Sequence, residues 1–148
     1  MKFYLLILLF ILFVFVAIIV YCRYHFRHIL YCDLDFICKH LKNNIKFNKN
    51  KIDEILTSTY SQIHKFSKKI ITSKSTSFLK NKVDQNNISN FINSLGQGDV
   101  QYEINNISYH ENIFGEMKNK TKESLEKDGK MYLKLIIGIG LALCIILI

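Results

Sequence analysis

The chain has 148 residues, 49% of them hydrophobic, and 20 Lys and Arg against 12 Asp and Glu give it a formal charge of +8. That length leaves room for one domain and little else. Arginine is confined to Arg23 and Arg27, and the lysines are scattered among the acids instead of gathered on one face, which argues against a nucleic-acid-binding surface.

The apolar residues crowd into two blocks, one at each end. From Phe3 to Cys22 no residue is charged, and none is Gly or Pro. About 20 residues at about 1.5 Å each make a helix about 30 Å long, which matches the hydrocarbon core of a bilayer. A cleaved signal peptide would have an apolar core of only about 7–15 residues and then a small-residue cleavage site. Here the run is longer and ends in the bulky Val20-Tyr21-Cys22. The expectation is an uncleaved transmembrane helix over 3–22.

Beyond it the apolar spacing is helical. Leu30, Leu34, Ile37, Leu41 and Ile45 form one stripe, on a helix expected to run straight out of the membrane. NKNK at 48–51 reads as a polar turn. Ile52, Ile55, Leu56, Tyr60, Ile63, Phe66 and Ile70 form a second stripe, and residues 72–87 read as a loop or short helix. A third helix is expected from Ile88 to Leu95, with Phe91, Ile92 and Leu95 on one side.

Gly96 and Gly98 then break the chain, and Asp99 stands where an N-cap belongs, ahead of Val100, Ile104, Ile107, Phe114, Thr121 and Leu125. Those intervals suit a long amphipathic helix continuing through Gly129. Stripes of this kind belong to a core or a coiled-coil seam. The fold class is therefore all-α, an antiparallel helical bundle over 23–130 between two transmembrane helices.

The last block, 131–148, gives about 27 Å of helix, enough to cross a bilayer. Lys134 lies one turn inside, where its stem can snorkel to the headgroups. Gly138 and Gly140 leave a thin notch for another helix, without the GxxxG spacing. Arg23 and Arg27 follow the first span, and Lys118, Lys120, Lys122, Lys127 and Lys130 precede the second. Basic residues at membrane ends favour the cytoplasmic side, so the middle should be cytoplasmic and both termini across the membrane. On that side the three N-x-S/T matches, at Asn87, Asn106 and Asn119, are chance products of an Asn-rich chain.

Little in the sequence speaks for chemistry. LGQGD lacks the Lys-Ser/Thr that completes a phosphate-binding loop. His25 and His28 are two candidate ligands without a third, and Cys32, Cys38 and His40 lack structural-zinc spacing. The four cysteines make no disulfide framework. Asp33 with Asp35, and Asp53 with Glu54, read as solvated surface acids. No cofactor, metal or catalytic residue is expected, and the chain does not read as an enzyme.

Three stretches in order, LDFICKHLKNNIKFNKNKIDEIL at 34–56, SLGQGDVQYEINNI at 94–107 and KMYLKLIIGIGLALCIILI at 130–148, resemble the stage III sporulation protein AB family. The likeness rests on the Leu95-Gly96-x-x-Asp99 break before the long helix and on Lys130-Met131-Tyr132 before the last one. The family's usual Pro-Leu at the start of the second helix is Lys51-Ile52 here. The resemblance implies a cytoplasmic bundle like the platform protein of type II secretion machines. It also implies a place in the mother-cell membrane, in the complex joining mother cell and forespore. The partners it implies are membrane lipid, a secretion-type ATPase and other membrane proteins of that channel complex. Against this stand a small holin-like permeabilising protein, whose loop would be shorter, a tail-anchored coiled-coil fusion protein, which would not need the first span, and a membrane enzyme.

Overall fold

The computed structural model describes residues 2–48, 52–73, 76, 79 and 81–147. Among them there are only helices and their connections, with no strand. Helix α1 spans Lys2–Asn48, followed by α2 (Ile52–Thr59), α3 (Lys65–Ser73), α4 (Lys82–Ser94) and α5 (Val100–Ser124). A π-helical turn, Leu125–Gly129, leads directly into α6 (Lys130–Leu147). The backbone falls into two compact units, Met1–His28 with Asn119–Ile148 and Ile29–Lys118.

In the first of these, the terminal unit, α1 and α6 run antiparallel. Cys144 donates its thiol to the Leu6 carbonyl at 3.8 Å, and the Tyr24 and Tyr132 rings stack with centroids 6.4 Å apart. Between those levels Gly140 is buried against Phe13, where an added Cβ would lie only 2.9 Å from the phenylalanine's Cβ. The notch read at Gly138 and Gly140 is thus half right: Gly140 admits α1 of the same chain, whereas Gly138 faces open space. Large apolar side chains point outward, with Tyr4 79% and Ile146 77% exposed. The helices containing these blocks are long and apolar enough to cross a membrane.

In the central unit the partition is reversed. Leu30, Leu34, Ile37, Leu41 and Ile45 of α1 are all buried, as their spacing predicts, and Tyr31 and Cys38 join them. Ile55 of α2, Ile70 and Ile71 of α3, Ile88, Phe91 and Ile92 of α4, and Ile107 and Phe114 of α5 complete the core. Phe114 is its hub: Phe91 meets it edge-on at 5.2 Å and Tyr31 lies 6.1 Å away. Val100, expected on the same stripe, is instead 52% exposed.

Three element boundaries differ from the sequence reading. The stripe from Ile52 to Ile70 is two helices, interrupted over Tyr60–His64. Hydroxyls near the break take up carbonyls: Ser58 and Thr59 both donate to Ile55 O, and Ser61 donates to Ser58 O. Side chains that satisfy the backbone in this way compete with helix continuation. Helix α4 starts at Lys82, six residues before the expected Ile88, because Asn81 is its N-cap and accepts the Val83 N–H at 2.9 Å. The first helix includes Asn48, and 49–51 of the expected NKNK turn lie outside the described residues.

Candidate functional site

The residues singled out by sequence fall into two groups, one on each side of α5. Leu95 closes α4 in an extended conformation and is half-buried against the core. Gly96 follows with φ at 78°, the left-handed region where a side chain is strained. The backbone then reaches Asp99, whose Oδ1 accepts the Tyr102 N–H at 2.8 Å while its carbonyl accepts the Glu103 N–H at 2.9 Å. That is N-cap geometry. Glu103 extends it by reaching back to the N–H groups of Gln97 and Gly98, at 2.9 and 3.2 Å. The turn is fixed mostly by its own side chains, so a short motif specifies it.

Lys130, Met131 and Tyr132 stand at the other end. The Lys130 N–H donates to Leu125 O, five residues back, which defines the π-turn. Tyr132 turns its ring toward Tyr24 of α1, while Lys130 is exposed and Met131 half-exposed. The two groups belong to different compact units.

The central unit also has a set of buried polar ties that sequence reasoning missed. Asp33 and Asp35, expected to be solvated, are 7% and 4% exposed. Asp33 accepts from the His64 N–H at 3.2 Å, from His64 Nδ1 at 3.0 Å and from the Ser67 hydroxyl, so a carboxylate on α1 caps the N-terminus of α3. Two residues earlier, the Tyr31 hydroxyl donates to Asp84 in the first turn of α4, at 2.6 Å. Two residues later, Asp35 receives both Lys118 of α5 and Lys39, each at 2.9 Å. Lys42 then pairs with Glu111 of α5 at 2.9 Å. The segment from Tyr31 to Lys42 thereby ties α1 to α4, α3 and α5 in turn. Partners 31 to 83 residues apart in sequence left no local signal.

The electrostatics of this belt are structural in character. Burial works against ionisation of Asp35, but the hydrogen bonds from Lys118 and Lys39 outweigh it and hold the carboxyl below its usual range. Asp35 in turn raises Lys118. Burial pushes the thiols of Cys32 and Cys38 up, so both stay protonated and are poor nucleophiles. All four cysteines are free. His28 meets Thr121 and His25 stacks on Tyr21, and no cluster fit to hold a metal occurs among the described residues.

The arrangement is a helical bundle tied by buried polar contacts, in a chain that also has two long apolar helices. Among family models, that for stage III sporulation protein AB matches residues 66–148, more than half of the chain. The chain belongs to the stage III sporulation protein AB family. The matched region starts within α3 and contains all six residues carried over from the resemblance, while the stretch 34–56 lies before it. No curated protein and no solved structure matches the chain. Family membership implies a role in sporulation, and the two long apolar helices fit association with a membrane.

Proposed function

We propose that the protein is a structural platform in the mother-cell membrane, part of the sporulation complex that joins mother cell and forespore. In this reading 3–22 and 131–148 cross the membrane, and 23–130 stands in the cytoplasm as a docking face for a secretion-type ATPase. The observation that carries it is a family match over a chain whose two apolar helices bracket a tied, amphipathic bundle. Leaving out Lys2 and Lys134, the segment between the spans keeps 18 basic and 12 acidic residues, near +6. Such a surface aids encounter with an acidic partner and makes the association salt-dependent. The work of the protein is then to hold a motor against the membrane.

Two measurements test the reading. The full-length protein, extracted in mild detergent at low salt, is expected to co-purify with the ATPase and to lose it as salt rises; a clean absence of binding removes the docking role. For topology, a cysteine introduced at exposed Lys69 in a background without the native cysteines should be labelled only after the membrane is opened. Labelling from outside intact cells overturns the orientation.

A further inference from the structure

Lys134 stands out because of its surroundings. It sits on α6 between Leu133 and Leu135, in a helix otherwise apolar from there to its end. It is exposed, as is Lys130 one turn earlier, and neither forms an ion pair among the described residues. Residues four apart on a helix have Cβ atoms about 5–6 Å from each other, and two like charges so placed repel. The acids of the terminal unit, Glu123, Glu126 and Asp128, all precede Lys130 on the aqueous side of α6. The facing half of α1, up to His28, has no acid at all. No carboxylate of the unit lies at the depth of Lys134.

The rotation of α6 is set by its contacts. Tyr132 stacks on Tyr24 and Gly140 receives Phe13, so these residues mark the side that meets α1. At about 100° per residue, from 3.6 residues per turn, Lys130 and Lys134 lie on the side away from Tyr132. The tyrosine pair also marks the level of the membrane surface, since tyrosines concentrate at the interface where ring and hydroxyl meet different media. Two exposed lysines therefore lie on the side of α6 away from Tyr132, one at that level and one a turn further along the helix.

We infer that Lys130 and Lys134 form a binding site for the phosphate of an anionic phospholipid in the surrounding leaflet. The inference rests on the membrane reading of α6 and adds a ligand class to it. A lipid phosphate fits better than a free one because the same molecule brings acyl chains to the apolar residues that flank Lys134. With its acyl chains along the exposed Leu135 and Ile139, such a lipid would cover apolar surface and neutralise the pair together. It would also fix the depth and rotation of α6.

The test is retention of lipid by the full-length protein. Protein is reconstituted into vesicles of phosphatidylcholine containing a minor fraction of phosphatidylglycerol, re-extracted in mild detergent, and its bound lipid measured by mass spectrometry. Wild type should be enriched in phosphatidylglycerol, and added inorganic phosphate should not displace it. At about fivefold per lysine near an anionic surface, Lys130→Gln with Lys134→Gln should lower the enrichment roughly 25-fold. Lys134→Arg should keep it, and Lys65→Gln with Lys69→Gln, an equal charge loss in the central unit, should leave it unchanged. Equal loss in both double variants would mean diffuse attraction, and displacement by phosphate would mean a free-anion site; either overturns the proposal. Wild type that enters vesicles without enrichment overturns the lipid site alone, whereas failure to enter vesicles removes the membrane reading with it.

Discussion

The two compact units solve opposite solvation problems with the same kind of helix. In the central unit, Leu34, Ile37 and Phe114 are sealed from solvent and the charges Asp33 and Asp35 are drawn in with partners. In the terminal unit the large apolar side chains point outward, and a buried glycine makes the close contact. Water drives the first kind of packing, through burial of apolar area. It cannot drive the second in a bilayer, where lipid tails are as apolar as leucine and association rests on close fit. A substitution should therefore be costly in one unit for the area it uncovers and in the other only for the fit it spoils.

The sharpest contrast is between two apolar truncations. Phe114→Ala removes a ring enclosed by Phe91, Tyr31 and His110, and should cost about 3–5 kcal/mol of central-unit stability. Leu8→Ala, on an outward-facing position of α1, should leave the unfolding midpoint nearly unchanged. Urea unfolding of the full-length protein in micelles, followed by circular dichroism, compares them. Equal losses would mean that α1 is packed against protein at Leu8 and would break the contrast.

Next in size is the cap that crosses between helices. Asp33→Ala strands the His64 N–H and the Ser67 hydroxyl at the start of α3, and should cost about 2–3 kcal/mol. Asp35→Ala should cost less, about 1 kcal/mol, because the Lys39 and Lys118 side chains it releases are already 55% and 38% exposed and can return to water. A larger loss at Asp35 than at Asp33, in the same unfolding assay, would reverse the assignment of which acid organises the bundle.

These acids also show where sequence reading ran out. The stripe on α1 and the two apolar blocks were legible because periodicity and length are local properties. The turn at Gly96 to Asp99 was legible because its hydrogen bonds close within a few residues. The break between α2 and α3 was not: no Gly or Pro marks Tyr60–His64, and α3 is capped by Asp33, 31 residues away. Asp33 and Asp35 read as solvated because only the folded chain brings His64, Ser67 and Lys118 to them. The same holds for Gly140, whose partner Phe13 lies at the other end of the chain.

In the terminal unit the test is fit. Gly140→Leu would drive side-chain atoms into Phe13, and overpacking of that kind costs about 1–3 kcal/mol. Gly138→Leu, where nothing lies within 4 Å, should be tolerated. Phe13→Ala should relieve the first variant by opening the space it needs. Resistance of the α1–α6 pair to dissociation in rising sodium dodecyl sulfate reads the effect; equal sensitivity of the two glycines would mean that the helices do not meet along this seam.

The smallest effect belongs to a buried imidazole in the central unit. His110 is 5% exposed, lies edge-on to Phe91 at 5.2 Å, and has Ser94 Oγ 3.4 Å from its Nε2. That hydroxyl already donates to the Phe91 carbonyl, so it accepts from Nε2–H and leaves Nδ1 without a proton. Nδ1 has no partner among the described residues, and burial holds the ring's pKa below its ordinary value. Above the ordinary imidazole range, about 6.5, the ring is neutral folded or unfolded and contributes no pH dependence. As pH falls below that value the unfolded chain takes up the proton first, so stability declines until the folded ring is also protonated. His110→Gln should flatten the decline in that window alone. The separate loss at lower pH, where Asp35 is protonated through its depressed pKa, should remain. A wild-type protein whose midpoint is level from neutral pH through the imidazole range would place His110 in contact with water, and the contrast between a dry central core and an outward-facing terminal pair would then fail at this position.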